Sequence, residues 1–284
     1  MYAPDEGVRR SFRSAYPPPM KDVAVAADGI PIHFETHGSG HPALVFVHGW
    51  SCDCSHWRYQ VPAFEDRHQV VTIDLAGHGE SGAGRREWTM PAFGGDVAAV
   101  VDRLGLDDVV LVGQSMGGDV IIEAALVLGD RVRGLVWVDT YSSLDERRDP
   151  DDIADFVAPF RRDFVAATRA IVGRLFIPTS DPALVEEVAS EMSSRPPEIA
   201  IDALEHAVSN EGAASAGLRR VGAPLVSIHP AFRPPDKDSL ERHGVRVIVM
   251  EDIGHWPMLE DPARFNATLE QVLAGLAPPV TRRS

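Results

Sequence analysis

The sequence predicts an α/β protein: a mostly parallel eight-stranded sheet flanked by helices and interrupted by a helical insertion. Three observations predict it. Short β-branched runs alternate with helical stretches from residue 22 to about 140, the pattern turns helical alone between about 142 and 218, and strand-like runs resume after that.

Taken in order, residues 1–21 read as an arm, with Arg9, Arg10 and Arg13 ahead of prolines at 17 to 19 and no apolar stretch of the secretory kind. Residues 22–26 and 31–36, joined around Asp28-Gly29, form an antiparallel hairpin. Ala43–Val47, Val70–Asp74, Val109–Gly113 and Leu135–Asp139 are short apolar runs ending at a Gly, an Asp or a turn. Buried parallel strands end this way, where their C-terminal edge opens into loops. In the insertion, Ile153, Phe156, Val157, Phe160 and Phe164 recur at helical spacing, and so do Leu184, Val188 and Met192. Prolines at 178, 182, 196 and 197 separate its helices. Leu225–Ile228 and Val245–Met250 restore the strand pattern, and a last helix runs from about Pro262 to Leu276. The core is thus 22–141 and 219–284, the insertion 142–218, with no internal repeat or low-complexity tract.

With 284 residues, 44% of them hydrophobic, the chain can bury one large core. A net charge of -15 without clustered Lys or Arg argues against a nucleic-acid or anionic-membrane partner and favours a neutral or modestly charged small molecule. No apolar run reaches the about 20 residues of a membrane span. Cys52 and Cys54 are too close to bridge without a strained ring, so they read as free thiols in a reducing cytosol. A single Cys-x-Cys pair near His56 lacks the second pair of a metal centre, so neither metal nor organic cofactor is expected. The composition leaves room for a homo-oligomer.

The chemistry concentrates in Val112-Gly113-Gln114-Ser115-Met116-Gly117-Gly118, after one buried run and before an apolar helix. A strand-to-helix turn this tight needs small flanking residues, and it would lift the Ser115 hydroxyl above the sheet edge. The helix start points backbone N–H groups toward developing negative charge, which makes the Met116 amide a candidate oxyanion donor. The competing reading is a serine that caps the helix.

These residues join Phe46-Val47-His48-Gly49-Trp50, Asp74-Leu75-Ala76-Gly77-His78-Gly79-Glu80-Ser81-Gly82 and Gly254-His255-Trp256. Together they resemble the α/β-hydrolase superfamily over about residues 22 to 276. The resemblance implies that the amide of Trp50 is the second oxyanion donor, that His48 holds its loop, and that the insertion is a cap roofing a pocket. Ser115 needs a base. Of eleven histidines, His255 fits, because it follows the last strand run in a short loop and closes the order nucleophile first, histidine last. His33, His37, His41, His68, His206 and His243 have no such position.

The third member departs from the pattern. The loop after Leu225–Ile228, where the family usually carries its Asp, reads His229-Pro230-Ala231-Phe232-Arg233-Pro234-Pro235 and holds no carboxylate. Asp139, ending the run beside that of Ser115, is the favoured replacement; some members of the superfamily carry their acid there. Asp236 is the second choice, and the absence of any orienting carboxylate the third. Asp74 and Asp119 read as structural, Asp119 through the helix dipole. The function implied is a serine hydrolase cleaving a small carboxylic ester through an acyl-enzyme. A C–C bond hydrolase, a lactonase, a cofactor-free haloperoxidase or a low-turnover ligand receptor would share these residues. Ser115 argues against dehalogenases and epoxide hydrolases, which use an aspartate nucleophile. The Phe and Leu residues of the insertion are either an apolar substrate pocket or its own packing stripe.

Overall fold

A computed structural model describes residues 20–276. Apart from Met20 and Lys21, which already belong to the first strand, the expected arm lies outside the described residues. Eight strands form one sheet: β1 (Met20–Val25), β2 (Pro31–His37), β3 (Ala43–Val47), β4 (Val70–Ile73), β5 (Val109–Gln114), β6 (Val132–Val138), β7 (Leu225–Pro230) and β8 (Val245–Met250). Their order is β1-β2-β4-β3-β5-β6-β7-β8. β1 and β2 pair antiparallel, β2 joins β4 antiparallel, and every pairing from β4 to β8 is parallel. The predicted class and sheet are those observed.

The sequence pattern explains the layers. β3, β4, β5 and β7 are buried at every residue, as parallel strands covered on both faces must be. The helices are α1 (Val61–Phe64), α2 (Met90–Leu104), α3 (Met116–Leu128), α4 (Pro150–Arg162), α5 (Phe164–Leu175), α6 (Pro182–Ser193), α7 (Pro197–Val208), α8 (Glu211–Leu218), α9 (Lys237–Arg242), α10 (Pro257–Glu260) and α11 (Pro262–Gly275). α2 starts at a capping Thr89 and stops at left-handed Gly105. It crosses α3 closely, because a side chain on Gly94 would meet Cβ of Glu123 at 2.5 Å.

Between β6 and β7 the described chain holds α4 to α8 and no strand. Asp149, Asp163 and Asp181 cap three of these helices, and Pro182 and Pro197 open α6 and α7. The helices are tied to the sheet side by Trp50, whose Nε1 donates to Ala200 O at 2.6 Å. Phe160 and Phe164 stand edge-on to the same indole, 5.4 and 6.1 Å between centroids. Arg195 adds bonds to Ser51 O and Asp53, and His56 Nε2 donates to Glu191 at 3.1 Å. No helix among the described residues is long and apolar enough to cross a membrane.

Candidate active site

The turn from β5 into α3 is as tight as its glycines require. A Cβ on Gly113 would lie 2.2 Å from Gly117 O, one on Gly117 2.6 Å from His48 O, and one on Gly118 2.0 Å from Thr140 Oγ1. Ser115 sits between them at φ 51° and ψ -120°, a strained backbone for a residue with a side chain. Its hydroxyl makes no capping bond to α3, so the capping reading of this serine has no support. The Met116 amide begins the helix, where first-turn N–H groups have no intrahelical acceptor.

Above this turn a cavity of about 630 Å³ opens between the sheet edge and the insertion. Ser115, Met116, Trp50, Asp139 and His255 all line it, so the five residues singled out in the sequence meet in one place. Asp139 directly follows β6, which lies beside the strand of Ser115, and its backbone is also left-handed at φ 47°. The carboxylate is buried, and His255 Nδ1 donates to its Oδ2. Burial alone would raise its pKa, yet the contacts with His255, Arg233 and His229 hold it below the ordinary Asp value. Asp236 is elsewhere engaged: its side chain accepts from Ser239 N at 3.0 Å and caps α9.

The histidine loop is fixed through its backbone. His255 N donates to Leu175 O at 2.9 Å, and Gln114 Nε2 donates to His255 O at 3.2 Å. Glu260 accepts from Gly254 N, Trp256 N and Ser180 Oγ. His48 is fully buried, donates from Nδ1 to Gly49 O and accepts at Nε2 from Leu75 N, while burial keeps its imidazole neutral. That is the loop-holding reading. Asp74 is structural too, accepting from the amides of Cys54 and Glu80 and from His33.

Two features escaped the sequence. Asp119 is not merely a dipole partner, because it lies buried in the cavity wall and accepts from Tyr141 Oη and Asn210 Nδ2. The cavity is also less apolar than the insertion's periodicity implies: Phe156 and Met192 line it, but so do Glu146, Arg147, Asp152 and Arg233, while Phe160 and Phe164 pack on Trp50. Helical spacing marks the inward face and cannot divide packing from lining.

Among the described residues, Asp53, Cys54 and Asp74 bring possible metal ligands within 4.8 Å of one another. Asp53 is paired with Arg195 and Asp74 accepts from the Cys54 and Glu80 amides, so both carboxylates are already engaged within the protein.

Comparison with known proteins agrees with this fold. Residues 44–268 match the model of the alpha/beta hydrolase family. The chain is 26% identical over 267 residues to 3-oxoadipate enol-lactonase 2 of Acinetobacter baylyi, covering 89% of this chain and 97% of the relative. The solved structure of an esterase from Thermogutta terrifontis superposes with a TM-score of 0.77 at 26% identity, over 92% of this chain and 99% of that one. Other matches are partial. The acetyltransferase component of the acetoin cleaving system of Cupriavidus necator is 31% identical over 137 residues, which is 45% of this chain and 37% of the relative. The chain spans less than half the length of several such relatives.

Proposed function

The chain belongs to the alpha/beta hydrolase family, and from its site we propose a serine hydrolase that cleaves a small carboxylic ester through an acyl-enzyme. One observation carries the reading: a serine held in a strained strand-to-helix turn shares a cavity wall with a histidine whose far nitrogen is bonded to a buried carboxylate. Ser115 attacks the carbonyl, and its proton passes to His255, which returns it to the leaving alcohol. Asp139 fixes the tautomer that leaves Nε2 unprotonated and steadies the imidazolium during attack. The amides of Trp50 and Met116 face the charge that develops on the carbonyl oxygen. Water, activated by His255, then releases the acid. The helices from 142 to 218 serve as the cap that roofs the cavity.

A lactone is the second substrate reading, favoured by the nearly full-length likeness to an enol-lactonase. Ring opening uses the same attack and differs only in that the alcohol stays attached to the acyl group. Reaction with a fluorophosphonate probe, read by mass spectrometry, should modify Ser115, and a panel of chromogenic esters and lactones should separate the two substrates. An unmodified Ser115 in folded protein overturns the hydrolase reading and leaves a ligand receptor.

A further inference from the structure

The loop after β7 is the place where the acid is missing, and its own side chains turn toward the acid that replaces it. Asp139 N donates to Ile228 O at 3.1 Å, which sets the carboxylate against the end of β7. There His229 Nε2 lies 3.4 Å from Oδ1, and the Arg233 guanidinium donates to Oδ2 at 3.3 Å. Three groups therefore face Asp139: His255 from the loop after β8, and His229 and Arg233 from β7 and the residues just beyond it.

They do not act alike. His229 is buried, and its Nδ1 faces Pro230 O at 2.9 Å; a carbonyl only accepts, so Nδ1 holds the ring proton. Nε2 then turns a lone pair toward Oδ1 and has no hydrogen-bond partner. Burial lowers the pKa of His229 against the pull of Asp139, so the charge it can lend the carboxylate is not permanent. Arg233 is the permanent cation. Its side chain is 52% exposed, lies over the Phe232 ring and lines the cavity, so it touches both solvent and Asp139.

We propose that Arg233 is a positioning residue for Asp139: the loop after β7, which carries no carboxylate, supplies a counter-charge instead, holding Oδ2 toward His255 and resisting a second proton on the Asp139–His255 pair. The idea rests on the serine-hydrolase reading. Its physics is simple: a positive charge beside the Asp139–His255 pair disfavours adding a proton to that pair, so removing the charge should favour the protonated pair. Because the guanidinium is half exposed, salt must weaken the effect.

The test is the pH profile of kcat/KM for p-nitrophenyl acetate in wild type, Arg233→Met and Arg233→Lys, at low and high salt. In Arg233→Met the acid limb should move to higher pH, giving activity about threefold to tenfold below wild type near pH 6, with the gap narrowing toward pH 8.5. Arg233→Lys should restore most of the limb, and high salt should shrink the gap between wild type and Arg233→Met. Fluorophosphonate should label Ser115 in all three at pH 8.5, which shows that each is folded with its nucleophile in place. A loss that is the same at every pH, or a limb that does not move, overturns the proposal while leaving the hydrolase reading intact. A wild type that neither turns over nor labels removes that reading instead.

Discussion

The sheet edge and the helical insertion meet at one cavity, yet they are built on different principles. At the edge, each functional side chain is placed by backbone: β5 and β6 pair in parallel up to their C-terminal ends, glycines leave little room for another path at Ser115, and residues 115 and 139 both take positive φ. The insertion is placed mainly by side chains, through an indole, one joined ion-pair cluster of Asp53, Arg195, Glu191 and His56, and edge-on rings. Changes at the edge should therefore alter rate with little effect on folding, whereas changes at the insertion contacts should alter stability and substrate affinity first.

The largest effect is expected at the edge. Ser115→Ala should lower kcat by about 10⁴-fold or more, with an unchanged melting temperature. Next comes the acid: Asp139→Asn should cost about 10³- to 10⁴-fold in kcat, because an amide can stabilise the wrong tautomer of His255. Asp236→Asn is its control and should stay within about twofold of wild type in rate, since that residue serves as a helix cap, where Asn performs nearly as well. A near-normal rate in Asp139→Asn would break the assignment.

The same contrast decides what could be read before the fold was known. The elbow and the strands were legible because their signals are local: glycine around Ser115 answers to sterics within a few residues, and β-branched runs to burial on two faces. Asp139 was legible through strand adjacency taken together with the family resemblance. Arg233, His229, Asp119 and Glu260 were not, because their partners lie far along the chain; Arg233 reaches Asp139 across 94 positions. Asp119 did carry a faint local sign, an acid one helical turn beyond Ser115, but the same position suits the helix dipole equally well. In the insertion the helical period gave the inward face correctly and said nothing of which rings would seat on Trp50.

Stability should register the second region. His56 is buried; burial favours its neutral form, but Cys52 and Glu191 outweigh it and raise its pKa to about 10. The folded value thus exceeds the unfolded value of about 6.5. The protonated form contributes stability that is fully present below about pH 6.5 and is lost as pH rises toward 10. Wild type should lose melting temperature over this window, while His56→Gln should start lower and show a flatter profile. Parallel slopes in thermal melts from pH 6 to 10 would show that the bond between His56 and Glu191 does not fasten the insertion.

The smallest effect should come where the two regions touch. Trp50 carries the backbone amide proposed as an oxyanion donor and gives its indole to the insertion, so Trp50→Phe removes only the bond to Ala200 O and part of the ring contact with Phe160 and Phe164. The expected loss is about 1 kcal/mol of stability. Labelling of Ser115 by a small fluorophosphonate should be unchanged within about twofold, because the amide donor survives the substitution. KM for a bulky ester should rise more than KM for an acetate, since the larger acyl group leans on the helices that the indole holds. If kcat for acetate fell as far as KM rose for the bulky ester, the indole would belong to the edge and not to the insertion, and the division between the two regions would fail at its boundary.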